Sequence, residues 1–588
     1  MKKVFYFLIA LLALTACTSQ PESKTVELPP AAFANTRSLE IAKVTLTDSV
    51  TVLDVEAFFT PNYWIRVVSD SYLQADGKKY MIRRGEGIDL DSLFWMPESG
   101  EASFKLLFEP LPINTKQFDF IESDCEDCFK IYGVDLVNKE MPQPKLPRKY
   151  KMKHKEETDI QLGWEKGDAI VSGKIWGYIP NTLEWTVMYS NPITGKDNTI
   201  PLEIGANGSF SAKIPIYSPT NLYITSKAAY IPIKVAPGKE SSILINLPEL
   251  YREGSRLLKE QGPYGKKYHY GGYLARLNND LANENIMRVV QMDYTDSISD
   301  MDANEYIAFL NSKYNESITH NDALDISPLA KIIINAPEAF LLGNSIEYAD
   351  YNLMQAFAKK KKLSREEAQK RYKPVKKNKD YIDYYQLIPY NNPAILLVPD
   401  IGNFVRSMGY ARKHSNDPYE VVRYLSQHDE VSEEDRAFFK EYISAEESNK
   451  EFKKASSIES IFNKYSSLAK EYQKKQMGVG FLSQVWNTDK ALLFDLINAQ
   501  KIGREIEGFN PLTDEQKQEL SDYPEVIKQV LLEENEALLA KIEENKKKTG
   551  FTVLNTPTNT PFCGYRQHFI GHLRNNPLTR EQDFRIAL

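Results

Sequence analysis

The sequence predicts a multi-domain chain: two all-β sandwich units, immunoglobulin-like or prealbumin-like, followed by an α-helical domain. Three observations carry that expectation. The 588 residues exceed what one hydrophobic core organises. Up to about residue 248, apolar residues recur with period two in short runs broken by turn residues. From about Tyr251 the period turns helical.

Composition narrows the function classes. Hydrophobic residues make up 42% and charged residues 26%, as in ordinary globular proteins. The net charge of −7 offers no basic face with interleaved aromatics, so no nucleic-acid partner is expected.

The N-terminus sets the compartment. Lys2 and Lys3 precede an apolar run from Val4 to Leu14, too short to remain as a spanning helix, so residues 1–17 read as a signal peptide. Leu14-Thr15-Ala16-Cys17 resembles a bacterial lipobox, which makes Cys17 the lipidated residue and the membrane, through that lipid, a partner. Residues 18–38, with proline and serine, read as a tether. The expected location is the cell envelope, on a membrane-anchored lipoprotein at the periplasmic or outer-membrane face.

Residues 39–137 form the first expected sandwich, on runs such as "SVTVLDVEAFF", "YWIRVVSD", "ASFKLLFEPL" and "QFDFIE". Residues 138–159, with three prolines and many lysines, read as a solvated basic linker. The second sandwich spans 160–248, where Asn207-Gly208 between "LEIGA" and "SFSAKI" predicts a hairpin because both residues tolerate positive φ. Residues 249–550 form the helical domain, with capping boxes at Ser364-x-x-Glu367 and Thr513-x-x-Gln516. Its last helix opens near Asp522 and Pro524, and carries Ile527, Leu531, Leu538 and Ile542 on one stripe. It ends in Lys546 to Lys548 before Gly550.

Several residue groups invite chemistry. Cys125 and Cys128 are spaced as a C-x-x-C, yet Glu122, Asp124, Glu126 and Asp127 surround them. Like charge disfavours the thiolate that a redox pair needs. A structural disulfide, two idle thiols, a redox pair and a metal half-site all remain open there. Cys563, His568 and His572 match C-x4-H-x3-H, but Phe569 stands where a zinc protease needs glutamate, and a fourth ligand is missing. Asp300-x-Asp302-x-Asn304 starts like a calcium loop but has Glu305 where glycine is needed, so helix capping explains it better. Gly271-Gly272 lacks a Walker lysine after it and a strand before it, and reads as a surface loop entering a helix. Trp64, Trp95, Trp176 and Trp185 lie in β units, where an aromatic packs in the core or forms a platform for sugars. No catalytic residue, metal or cofactor is expected.

The lipobox, the phrases "GSFSAKI" and "VAPGKESSILINL", the helical region and "ALLAKIEENKKKTGFTVLNTPTNTP" together resemble the TlpA-type disulfide reductase lipoproteins of Bacteroidetes, over residues 1 to about 561. The resemblance implies envelope protein clients and a thioredoxin-like domain whose W-C-x-x-C thiolate attacks client disulfides. That domain needs about 100 residues. After Pro561 this sequence has 27 residues, and no W-C-x-x-C occurs in it, so no complete thioredoxin fold is expected and the family's catalytic cysteines carry over to no position. Residues 551–588 hold four arginines and no lysine, a change of texture that suits a frameshift, a natural truncation or a gene-model error. The expectation is a scaffold or client-docking lipoprotein without catalysis. The alternative is an envelope lipoprotein that binds glycan or protein partners.

Overall fold

The structure, a computed structural model, describes residues 23–549 apart from 126–127, 152–159, 228, 283–284, 291–293, 375–378, 413–416, 418, 449–451 and 453–457. Cys17 and the tail 551–588 therefore lie outside the described residues. Two β units precede a helical region. No described helix is long and apolar enough to cross a membrane.

The first unit contains β1 (Lys24–Glu27), β2 (Phe33–Ala34), β3 (Leu39–Leu46), β4 (Thr51–Phe58), β5 (Trp64–Ile65), β6 (Tyr72–Ala75), β7 (Lys78–Glu86), β8 (Phe94–Trp95), β9 (Glu101–Phe108), β10 (Gln117–Ile121) and β11 (Lys130–Asp135). Nine of these make one antiparallel sheet, in the order β1-β3-β4-β9-β7-β6-β10-β11-β2, while β5 and β8 pair separately. The sheet is one continuous curled surface, a half-barrel. Register shifts at Ile41/Lys43, Ile82/Arg84 and Phe118/Phe120 supply the extra residues that bend strands. The curl brings Phe108 of β9 edge-on to Phe120 of β10, with ring centres 6.2 Å apart. Strand β4 alternates buried and half-buried residues, the period its sequence announces. Asp76 and Gly77, both at positive φ (50° and 73°), make the two-residue turn between β6 and β7.

The tether expected over 18–38 is shorter in the described residues. Strand β1 adds to the edge at β3, and β2 adds to the opposite edge at β11. Ala31, Ala32, Phe33 and Ala34 are all buried. The two prolines read as flexible spacer instead carry the chain between the two sheet edges.

The second unit contains β12 (Gly167–Trp176), β13 (Thr186–Ser190), β14 (Asp197–Pro201), β15 (Ser209–Ile216), β16 (Thr220–Ser226), β17 (Ala229–Val235), β18 (Glu240–Asn246) and β19 (Tyr268–Gly272). They form two four-stranded sheets, β15-β12-β18-β19 and β14-β13-β16-β17, with β12 and β18 parallel. Val171, Ile243 and Ile245 from one sheet and Val187, Leu222, Ile224, Ile231 and Ile233 from the other share a single core.

Three sequence expectations change here. Asn207-Gly208 does form a tight turn, with the Gly208 amide donating to the Gly205 carbonyl and Gly208 at φ 79°. However, β14 pairs with β13 and β15 with β12, so the turn carries the chain from one sheet to the other and makes no hairpin. The stretch around Gly271-Gly272 is strand β19, which pairs with β18 beyond the helix Leu247–Gly254. Finally, the described part of the 138–159 linker is packed. The Gln143 side chain accepts from the Asn246 amide, and Tyr150 is buried beside Gly271.

The helical region follows. Both capping boxes form, at Ser364/Glu367 and Thr513/Gln516. In the long helix Glu525–Thr549, Ile527, Leu531 and Leu538 are buried and Ile542 packs beside them. Phe340 stacks on Phe404 at 4.7 Å in the main helical core. Buried polar contacts join the units. The Glu40 carboxylate of β3 accepts from Ser255 Oγ at 2.6 Å and from the Arg256 and Leu257 amides at 2.8 and 2.9 Å. Gln500 Nε2 donates to the Pro192 carbonyl at 3.0 Å.

Candidate functional site

Among the described residues, two exposed tryptophans stand together on the two-stranded ribbon β5–β8. It prolongs the β4–β9 ladder past a break at Thr60–Tyr63 and Pro97–Gly100, where the Phe59 amide donates to the Gly100 carbonyl. Gly100, at φ 71°, is required there because a Cβ would stand 2.6 Å from the Phe59 carbonyl oxygen. Trp64 and Trp95 are direct cross-strand partners, so their side chains share one face of the pleat. That face looks outward: Trp64 is 40% and Trp95 62% exposed. Their neighbours Ile65 and Met96 point the other way and are buried, and Phe94 packs on Phe104 in the first core. Leu93, two residues before Trp95 and 48% exposed, continues the apolar character on the same side of its strand, and Tyr63, Asn62 and Ser92 are exposed residues beside the ribbon in sequence. The nearby Asp91 carboxyl lies below the usual carboxylate range, chiefly because the Ser69 amide donates to it.

The other tryptophans raised by the sequence lie in the second β unit. Trp185 is buried in the second core, and Trp176 Nε1 donates to the Pro142 carbonyl at 3.2 Å.

Cys125 and Cys128 lie in the turn between β10 and β11 and are disulfide-bonded, with Cα atoms 5.3 Å apart. Their loop is tied from two sides. The Asn35 side chain donates to the Cys128 carbonyl and accepts from the Lys130 amide, and Glu122 accepts from the Phe129 amide at 2.8 Å. Burial pushes the Glu122 carboxyl above its ordinary range, and Phe129 opposes that shift. Lys79 stands 3.9 Å from Asp124, which also accepts from the Tyr72 hydroxyl.

Asp302 is a helix cap. It accepts from the Asn304 and Glu305 amides, while Glu305 reaches back to the Asp302 amide. Asp300 pairs with Lys360. Cys563, His568 and His572 fall outside the described residues. Among the described residues no group of three or more His, Cys, Asp or Glu side chains is placed to hold a metal.

One cluster escaped the sequence. Lys234 of β17 is 3% exposed, and its Nζ donates to Asn221 of β16 at 2.5 Å. The only signal for it was a lysine inside the apolar run "YIPIKVAP". Period two puts that lysine on the outer face of its sheet, which the helical region then covers.

No protein-family model matches the chain, and no curated protein matches it. Among solved structures, a pullulanase from Anoxybacillus sp. LM18-11 aligns at 12% identity over 32% of this chain and 24% of that one, with a TM-score of 0.13. A TM-score that low bears on neither fold nor function, and the chain spans about a quarter of that protein's length.

Proposed function

We propose that the protein is a membrane-anchored envelope lipoprotein that docks a protein partner through the outward face carrying Trp64, Leu93 and Trp95, without thiol catalysis of its own. The carrying observation is the pair of outward tryptophans opposed in register. Exposed apolar patches on soluble domains mark interaction sites, and tryptophan and tyrosine dominate binding hot spots. Covering both indoles removes on the order of 200 Å² of apolar surface, about 5 kcal/mol before the costs of association.

Under this reading the lipid anchor also sets which way the face looks. With the lipid on Cys17, six residues separate the anchor from β1, a reach of about 20 Å. Lys24 pairs with Leu46, at the end of the β3–β4 ladder away from the ribbon. The length of β4, about 23 Å at the strand rise, lies between the tether point and the tryptophans. The partner then approaches from the side away from the anchoring membrane. In the resemblance to TlpA-type lipoproteins, such a face would hold a client. We also assign the second β unit, with its two sheets over one core, to the immunoglobulin-like or prealbumin-like sandwich class.

A glycan partner is the second reading, favoured by two opposed, outward-facing indoles. A photo-crosslinking residue at position 95 of the full chain separates the two. A discrete protein adduct in envelopes, lost in Trp64→Ala, supports protein docking. No adduct, together with indole fluorescence that responds to defined oligosaccharides, replaces it with the glycan reading, and no response in either arm refutes both.

A further inference from the structure

The Lys234 cluster sits where the second β unit meets the helical region. The lysine backbone is held on both sides: its amide donates to Asn278 Oδ1 at 2.6 Å, and its carbonyl accepts from Asn278 Nδ2 at 3.0 Å and Ser241 Oγ at 3.0 Å. Asn278 belongs to the helix Ala275–Leu281. Those bonds fix the strand at Lys234, and because the residue is 3% exposed its amine reaches water only if the elements packed over it part.

Among the described residues, the groups that act on it are these. Asn221, on β16, accepts from it through Oδ1, while Asn221 Nδ2 is buried without a hydrogen-bond partner. Arg288, just beyond the helix Ala275–Leu281, repels it, and Asp400, at the head of the helix Ile401–Met408, attracts it. Tyr223 of β16 and Tyr230 of β17 stack on each other at 4.1 Å, and both feel the Asp400 charge. Helix Ala275–Leu281 and β18 contribute only the neutral Asn278 and Ser241 to the contacts with Lys234 described above.

A buried cation needs a close counter-charge or must lose its proton. Here one carboxylate is set against one guanidinium. We propose that Lys234 makes this junction a proton-operated joint: the closed form holds a neutral amine between β16, β17 and the Asp400 segment, and opening lets the amine take a proton from water.

Burial, with Arg288 adding to it and Asp400 opposing it, lowers the Lys234 amine from 10.5 to about 7 in the closed form. In the open form the amine returns to its ordinary range. Between about pH 7 and 10 the open form therefore binds the extra proton, and opening becomes about tenfold easier for each unit of falling pH. Below about pH 7 both forms are protonated and the dependence levels off.

Hydrogen exchange of the full chain between pH 6 and 9.5, corrected for the intrinsic rates, tests the joint. In the wild type, protection of the β16, β17 and Pro393–Asp400 amides should rise about tenfold per pH unit above 7. Strand β4 should show no such slope. Lys234→Met should abolish the slope at the joint. If Lys234→Met fails to fold, Asp400→Asn reads the same mechanism, because loss of the attracting carboxylate moves the levelling point to lower pH. A wild-type slope of zero, a slope retained in Lys234→Met, or a levelling point unmoved in Asp400→Asn overturns the proposal.

Discussion

Replacing Glu40 by alanine tests how the first β unit is fastened to the segment after the helix Leu247–Gly254. Glu40 is 3% exposed, and its carboxylate accepts three hydrogen bonds, from the Ser255 hydroxyl and from the Arg256 and Leu257 amides. Hydrogen bonds to a charged acceptor contribute about 1.5 kcal/mol or more each. Arg256 is exposed, so water replaces the acceptor for its amide at little cost. Ser255 is buried and Leu257 half-buried, so those two donors lose their acceptor in a partly dry site. The expected loss is roughly 3 kcal/mol, two bonds at about 1.5 each. Glu40→Gln keeps one carbonyl oxygen but turns an NH2 group towards a donor, and should lose about half as much. The assay is urea unfolding of wild type and both variants by circular dichroism, with hydrogen exchange of the 255–258 amides read in parallel. A change below about 1 kcal/mol in Glu40→Ala with unaltered exchange there would refute the reasoning, because the carboxylate would then be replaceable by water.

Four further outcomes are expected. Trp95→Ala should shift stability by about 1 kcal/mol or less, since its side chain is 62% exposed and most of its loss is the cross-strand contact with Trp64; a larger thermal shift would make that indole structural. Gly208→Ala should cost about 2 kcal/mol or more, because residue 208 sits at φ 79° and its Cβ would stand 2.4 Å from the Ile175 carbonyl; an unchanged melting temperature would contradict the turn geometry. Lys464, Tyr465 and Ser432 hold the Asp435 carboxyl down to about 2, so its contribution is present above the ordinary aspartate value and disappears as pH falls towards 2. Because Lys464 is 59% exposed, screening limits that contribution to about 1 kcal/mol or less, and Asp435→Asn should differ from wild type at pH 7 but match it at pH 2. The Cys125→Ser, Cys128→Ser variant closes no ring; a ring of so few residues contributes about 2 kcal/mol at most, and insulin turnover by the wild type that the variant abolishes would give the pair a redox role.

Much of the order along the chain was legible. Period-two runs marked β4, β9 and β10, and the hydroxyl-x-x-acid signatures marked real helix starts at Ser364 and Thr513. Those signals act within a few residues, through side chains that alternate across a strand or bond the first free amides of a helix. Where a partner lies far along the chain, the reading failed. The stretch 24–34 looks like spacer because its two short strands complete edges more than 80 residues apart, at β3 and β11. Asn207-Gly208 gave the turn but not which strands it joins, since pairing depends on which sheet each strand enters.

The candidate site divides the same way. Sequence by itself determined that tryptophans stand at 64 and 95, that two cysteines sit three apart among acids, and that the chain opens with an apolar run ending in Cys17. Only the tertiary structure decided that the two indoles oppose each other on the outward face while Trp185 is buried, because burial depends on which surfaces the distant chain brings together. The same holds for Lys234: its strand position was local, but the helical region that covers it, and so denies its charge water, comes from residues up to about 170 positions away.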